Sequence, residues 1–255
     1  IMFYLQFETT EHALAFGRPV TSEHRVRFCR ATLPSSAAVP SRAPEQAPGT
    51  RLLMDVDMTV SADEGRSDPG ALGHNSGSGR IVPAGRMRGL HVLTRPVAPP
   101  ESRQVNDPPP ELQPYTLHEW QEPYPTPEML LEMPSDFDEQ DVGTWAESKS
   151  VWGLPNTDIN QHVNVQEYIT GFENHFSRLL YGASLPSELH HIRTFQILFR
   201  KPFFPGEAFT IRGRLLIEGV RTLMLGGFHR MDGTGVVDPR PSVVCRAEGA
   251  TVPRR

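Results

Sequence analysis

One short segment, residues 156–169, limits what this chain can fold into more than any other part of the sequence. Polar side chains occupy every second position through its centre and predict an extended loop that directs them toward one side. Apolar residues then recur at three- and four-residue spacing, which predicts a helix with one buried face from about Val165 to Tyr181. The polar residues are Asp158, Asn160, His162 and Asn164, and the apolar ones are Val165, Tyr168, Ile169, Phe172, Phe176, Leu179 and Leu180.

The last polar residue of this segment, Asn164, is the predicted N-cap of the helix, because an Asn side chain accepts hydrogen bonds from the first N–H groups of a helix. The polar residues would then lie at a helix N-terminus, which favours a negatively charged or polarised oxygen. Asx residues before a helix are often only caps, so a purely structural role for Asn164 stays open. The order of all four polar residues favours a functional loop.

At these residues the chain resembles the hotdog-fold thioesterases, and most closely the acyl-carrier-protein thioesterases, whose signature reads roughly D-x-D-x-N-x-H-V-N-N-x-x-Y. Asn156 stands where that family often has its first Asp, and Val165 where it has a second Asn. The resemblance is specific over about 146–255. The matching positions are Asp158, Asn160, His162, Val163, Asn164 and Tyr168.

The resemblance implies an α+β fold in which a curved antiparallel sheet wraps around a central helix. Strand-like runs follow the predicted helix at about 191–200, 207–218, 221–231 and 242–252.

The first half of the chain repeats this plan, since a Pro-Gly pair, an alternating apolar run and a Glu-Gly pair occur in the same order in both halves. We therefore predict a tandem, or double, hotdog packed as an intramolecular pair. A short helix is predicted at Thr9–Gly17, with no Asp-x-Asn-x-His run before it. The predicted domains are a degenerate hotdog unit at 1–100, a Pro-rich connector at 101–145, and a hotdog unit with the catalytic loop at 146–255.

Hydrolysis of a thioester needs an activated water or an attacking carboxylate, and a stabilised oxyanion. Asp158 is the only acid within 158–164 and is the candidate general base or nucleophile. Asn160 and His162 are candidates for orienting the water or polarising the carbonyl. Backbone N–H groups near Asn164 and Val165 are the candidate oxyanion site.

The resemblance also implies that the acyl tail enters between the helix and the sheet, which makes Tyr168 and Phe172 candidate substrate-binding residues. In the related plant enzymes a downstream Glu takes part in catalysis. The corresponding region here, 199–202, contains no Glu, and Glu207 lies in a Pro-Gly turn.

These residues favour a thioesterase that acts on acyl-carrier-protein or acyl-CoA thioesters in fatty-acid or polyketide metabolism. A hotdog dehydratase would usually show Asp-x-Asn-Pro-x-His, whereas His162 follows Asp158 by four residues without a proline. The alternative is a non-hydrolytic acyl-thioester-binding protein, or an acyltransferase or dehydratase-type tailoring protein on the same fold.

Charge, cysteine spacing and the N-terminal residues bear on nucleic-acid binding, metal binding and membrane insertion. A net charge of −5 gives no basic footprint for nucleic acid. Cys29 and Cys245 have no metal-ligand spacing, so we expect a reduced protein without metal or cofactor. The apolar residues 1–7 lack a basic leader and a cleavage site, and they are too few to span a membrane. We expect a cytoplasmic protein, and a homodimer of double-hotdog chains is compatible with the resemblance.

Overall fold

The fold is seen in a computed structural model. It describes residues 2–251 except for 11–13, 15–18, 34–48, 67–75, 96–97, 100–101, 104, 106–107, 109, 113–114, 116, 136, 138–145, 159–160 and 183–189.

The described residues fall into two units that meet in sequence between Glu122 and Pro123. The segment 101–145, predicted as a connector, contributes a short strand to unit 1 and a short helix to unit 2. The predicted domain limits at 100 and 146 stay a prediction, but the segment between them carries regular structure.

Unit 1 is a five-stranded sheet in the order β5-β2-β3-β4-β1, antiparallel except for the parallel pairing of β5 with β2. The helix predicted at Thr9–Gly17 falls largely on residues outside the described ones. Of its described residues, Thr9 ends β1 and Leu14 forms a β-bridge with Glu64, so neither is helical. The strands are β1 (Met2–Thr9), β2 (Val20–Leu33), β3 (Gly49–Arg66), β4 (Ser76–Val92) and β5 (Leu117–Glu119).

One face of this sheet carries paired charges. Asp55 on β3 is buried and accepts hydrogen bonds from Arg27 Nη2 at 2.5 Å and Arg88 Nε at 2.9 Å. Burial by itself raises the pKa of the Asp55 carboxyl, but the bonds from Arg88 and Arg27 outweigh it and hold the pKa below its usual value. Asp55 is therefore ionised, and the three side chains fix the register of β2, β3 and β4.

Unit 2 is an antiparallel sheet in the order β7-β10-β9-β8-β6, with a long helix packed on one face. The helix and the four strands predicted after it are confirmed to within one residue at each end. The elements are α1 (Pro127–Leu131), β6 (Ala146–Val151), α2 (Val165–Gly182), β7 (His190–Phe199), β8 (Ala208–Glu218), β9 (Arg221–Met231) and β10 (Val243–Thr251).

Helix α2 approaches its sheet closely because glycines lie at the contact. A Cβ on Gly171 would meet the Phe228 ring at 3.4 Å, and one on Gly213 of β8 would meet the His175 ring at 3.1 Å. The Phe172 ring packs edge-on against Phe195 of β7, with ring centroids 5.6 Å apart. The apolar face of α2, predicted from its periodicity, is thus the core of unit 2.

The opposite face of this sheet is covered by chain that was predicted as connector. Leu216 and Leu223 lie on that face and pack with Phe137 and Met133. The guanidinium of Arg221 lies 4.7 Å from the centre of the Phe137 ring. The sheet of unit 2 is therefore covered on both faces.

Among the described residues, no helix has the length and apolar character needed to cross a membrane.

Candidate active site

The residues before α2 form a tight turn. Asp158 N–H donates to the His162 carbonyl at 2.8 Å, and Gln161 N–H donates to the Asp158 carbonyl at 2.9 Å. Gln161 has a φ of 60°, and Thr157 and Val163 form a β-bridge that closes the turn. The predicted extended loop is therefore wrong, because hydrogen bonds within the segment fold it back on itself.

The carboxylate of Asp158 helps to hold this turn. Its Oδ1 accepts a hydrogen bond from the His162 N–H at 3.1 Å, and the residue is exposed. Asp158 thus combines a local structural role with a carboxylate that solvent reaches.

His162 is half-buried against the segment 202–207 of unit 2. Its ring meets the Phe204 ring edge-on, with centroids 5.3 Å apart. The following residue, Val163, is buried and donates its N–H to the Phe203 carbonyl at 3.0 Å. The segment 202–207 therefore forms the wall against which His162 rests.

Asn160, the third predicted catalytic residue, lies outside the described residues. Asp158 and His162 lie on the same turn and are joined by a side-chain-to-backbone hydrogen bond. The convergence of all three side chains on one pocket stays a prediction.

Asn164 is the N-cap of α2, as predicted. Its Oδ1 accepts from Gln166 N–H at 3.1 Å, and its carbonyl accepts from Glu167 N–H at 3.0 Å. The turn that carries Asp158 and His162 thus leads directly into a capped helix N-terminus, beginning at Val165. The dipole of an eighteen-residue helix favours negative charge at this end.

Asn156 has a role that the sequence did not reveal. Its Oδ1 accepts from Gly153 N–H at 2.8 Å, and its Nδ2 donates to Glu167 Oε2 at 2.7 Å. Its carbonyl accepts from Asn164 N–H at 2.8 Å. One side chain therefore joins the segment before the turn to the first turn of α2. The only sequence signal was an amide at a position where the resembling family often has an acid.

Glu207 is a second residue that was not predicted to belong to the site, because its local sequence indicates only a Pro-Gly turn. Its Oε2 accepts from Phe204 N–H at 2.8 Å, and its Oε1 forms an ion pair with Arg230 of β9. Arg230 also donates to the Pro202 carbonyl and to Ser242 Oγ, the latter at 3.2 Å. The wall that touches His162 thus contains a carboxylate, and Arg230 balances its charge.

The predicted substrate-binding residues lie in the core. Tyr168 is 1% exposed and Phe172 is fully buried. The Tyr168 hydroxyl accepts from Phe203 N–H at 3.3 Å, and burial raises the pKa of this phenol above its usual value. Its ring lies 5.3 Å from that of Trp152, which stacks on Phe209 at 4.1 Å. An acyl tail between α2 and the sheet would have to displace these rings, so this binding role stays a prediction.

A cysteine nucleophile and a metal site are the two other kinds of site to consider. Burial raises the pKa of the Cys245 thiol well above its usual value, which opposes formation of a thiolate nucleophile. Within the described part of the chain, no group of three His, Cys, Asp or Glu side chains has the arrangement of a metal site.

Two solved structures are similar to this chain over nearly its whole length. One is an oleoyl thioesterase (putative) from Lactobacillus plantarum, with a TM-score of 0.52 and 12% identity, covering 100% of this chain and 77% of that one. The other is a 12:0-ACP thioesterase from Umbellularia californica, with a TM-score of 0.56 and 14% identity, covering 98% and 72%. This chain has an α+β double hotdog fold.

The resemblance to hotdog-fold thioesterases is thereby confirmed at the level of the fold. No protein-family model matches the chain, and no curated protein matches it in sequence.

Proposed function

We propose that this double hotdog protein is a thioesterase that hydrolyses an acyl-carrier-protein or acyl-CoA thioester. The proposal rests on one observation above all. Asp158 and His162 occupy a single hydrogen-bonded turn that ends in the capped N-terminus of α2. An exposed carboxylate can activate water, an imidazole can orient it, and a helix N-terminus can stabilise the oxyanion that forms from a thioester carbonyl.

In the proposed reaction the carbonyl oxygen of the thioester lies toward the N-terminus of α2. The dipole and N–H groups of this helix stabilise the negative charge that develops on the oxygen. Asp158 takes a proton from water, which attacks the carbonyl carbon, and the proton later passes to the leaving thiolate. Alternatively, the Asp158 carboxylate attacks directly and forms an anhydride as the thiolate leaves, and water then hydrolyses that anhydride to release the carboxylic acid and restore Asp158. His162 and Asn160 orient the water and carbonyl. The C–S bond breaks, and the leaving thiolate takes up a proton to give the free thiol.

Release of free thiol from a panel of acyl-CoA and acyl-carrier-protein thioesters tests the proposal. Asp158→Asn is the sharpest variant, because the Asn side-chain oxygen can still accept from His162 N–H and preserve the turn. Loss of a general base costs about 10²–10⁴ in rate, so we expect turnover nearly to vanish while the free energy of unfolding stays near the parent value. A variant that hydrolyses at the parent rate would remove Asp158 from the mechanism.

A second candidate function is a protein that binds acyl thioesters without hydrolysing them. The contacts of Glu207 favour it, because both carboxylate oxygens are used within the protein, one by Arg230 and the other by Phe204 N–H. The same panel separates the two functions. Binding of an acyl-CoA with no release of thiol, for any acyl chain or carrier, would favour the second candidate and refute the first.

The substrate class belongs to the same proposal, with fatty-acid or polyketide metabolism as its setting. Comparing kcat/KM for one acyl group on CoA and on a carrier protein identifies the preferred carrier. We place the protein in the cytoplasm as a homodimer of double-hotdog chains. Sedimentation of the purified chain tests the dimer, and cell fractionation tests the location.

A further inference from the structure

The wall beside His162 is a short turn, residues 202–207, that touches the candidate active site at two points. Phe203 accepts a hydrogen bond from Val163 N–H at 3.0 Å through its carbonyl. Phe204 meets the His162 ring at a centroid distance of 5.3 Å. Displacement of this turn would therefore move both the imidazole and the backbone that follows it.

Arg230 holds the turn from the side of the sheet. It donates to the Pro202 carbonyl at the start of the turn and pairs with the Glu207 carboxylate at its end. Its guanidinium also lies 4.7 Å from the centre of the Phe203 ring and donates to Ser242 Oγ. A rigid, planar guanidinium suits this role because its N–H groups point in fixed directions.

Glu207 stabilises the 202–207 turn by a hydrogen bond inside it. Its Oε2 accepts from the N–H of Phe204, the residue whose ring touches His162. Both charged side chains are partly buried, with 31% of Glu207 and 26% of Arg230 exposed. An ion pair is screened less in such a position than on an open surface, so the pair constrains the turn more firmly than a fully exposed pair would.

We propose that Glu207 and Arg230 are positioning residues that set the orientation of His162 through Phe204. The inference rests on the proposed thioesterase function, and it adds that Glu207 acts through its hydrogen bond to a backbone N–H. It does not act as a second catalytic carboxylate. The two roles differ in what they need from the side chain. Positioning needs an acceptor oxygen for Phe204 N–H, whereas catalysis by a carboxylate needs the ionised acid.

Two substitutions at one position separate these roles. Glu207→Gln keeps a side-chain oxygen that can accept from Phe204 N–H, and Glu207→Ala removes it. A small misplacement of a reacting group can cost up to about 10² in rate. We therefore expect Glu207→Ala to lower kcat by about 10-fold to 10²-fold with little change in KM, and Glu207→Gln to recover most of that loss.

The matched control is another Glu–Arg pair of unit 2. Glu218 and Arg221 pair at 3.2 Å across the turn between β8 and β9, at the opposite end of β8 from Glu207. Glu218→Ala should leave kcat at the parent value. A loss of kcat in Glu218→Ala equal to that in Glu207→Ala would overturn the proposal, since any lost ion pair would then have the same effect.

The NMR signals of the His162 ring give a readout that does not depend on activity. The edge contact with Phe204 places the imidazole in the field of an aromatic ring. We expect the ring signals to move in Glu207→Ala and to return toward the parent positions in Glu207→Gln. Unchanged signals in Glu207→Ala would overturn the positioning role. A Glu207→Gln variant as slow as Glu207→Ala, but with the His162 signals at the parent positions, would overturn it in favour of a catalytic carboxylate.

These outcomes are separate from failure of the proposed function. If the parent protein releases no thiol from any substrate, the thioesterase proposal fails, while the His162 signals still report whether Glu207 orients the ring. Urea unfolding of each variant shows whether the fold is retained.

Discussion

Replacing Asn156 with Asp tests whether the contact between Asn156 and Glu167 holds the 158–163 turn to α2. The Nδ2 atom of Asn156 lies 2.7 Å from Glu167 Oε2, and both residues are half-buried. In Asn156→Asp a carboxylate oxygen would face a second carboxylate at that distance. The bond to Gly153 N–H can survive, because either side chain supplies an acceptor oxygen. The change therefore isolates the contact with Glu167.

The expected loss follows from two contributions. A hydrogen bond to a charged acceptor is worth about 1.5–3 kcal/mol. Repulsion between two partly buried charges about 4 Å apart reaches about 4 kcal/mol as an upper limit, which rotation of the side chains or protonation reduces. We expect Asn156→Asp to lower the free energy of unfolding by about 2–4 kcal/mol at pH 7, measured by urea denaturation.

A second substitution makes this test specific. In the double variant Asn156→Asp with Glu167→Gln, donor and acceptor are exchanged and the hydrogen bond can form again. The double variant should be more stable than Asn156→Asp alone by about 1–3 kcal/mol. A loss below about 0.5 kcal/mol in Asn156→Asp, or no recovery in the double variant, would show that the Asn156–Glu167 contact does not hold the turn to α2.

Three further outcomes are expected. Asn164→Ala should cost about 1 kcal/mol of unfolding free energy and also reduce thioester turnover, because it removes the cap of α2; urea denaturation and thiol release measure the two effects. Phe172→Ala should cost about 3–5 kcal/mol in the same denaturation assay, since the ring is fully buried. Burial lowers the pKa of His175 to about 4, so the unfolded chain binds a proton first as the pH falls. The free energy of unfolding should therefore fall by up to about 3 kcal/mol as the pH is lowered from about 6.5 to 4. In His175→Gln the same denaturation assay should show a smaller fall.

The helix and sheet of unit 2 were predictable because their signals are local and repeated. Apolar residues at helical spacing through Phe172 and Phe176 fix which face of α2 is buried, and this does not depend on distant partners. The Asn164 cap was predictable for the same reason, since its hydrogen bond reaches only two residues ahead. Alternating polar residues led to the wrong prediction of an extended segment, as the contacts of Asp158, Gln161 and His162 show. The bond from His162 N–H to the Asp158 carboxylate folds this segment into a turn, and alternation is also compatible with that geometry.

Residues that act through distant partners could not be assigned in this way. Glu207 follows a Pro-Gly pair, and this local context describes only a turn. Its proposed positioning role depends on Arg230 of β9, which contacts both ends of the 202–207 turn. Asn156 is similar, because its partner Glu167 becomes a neighbour only after the intervening turn has formed. In both cases the contact depends on the tertiary fold.

The cover on the outer face of the unit 2 sheet had a sequence signal that was missed. Strand β9 is buried at every position from Thr222 to His229. A strand with one solvated face alternates apolar and polar residues, whereas a run without alternation indicates burial on both faces. Helix α2 covers only one face, so another segment had to cover Leu223 and Leu225. The aromatic and apolar residues between 127 and 137 supply that cover, with Phe137 in the cluster. The predicted connector is therefore part of the core that supports the candidate site, and the continuous apolar run in β9 indicated that such a segment was needed.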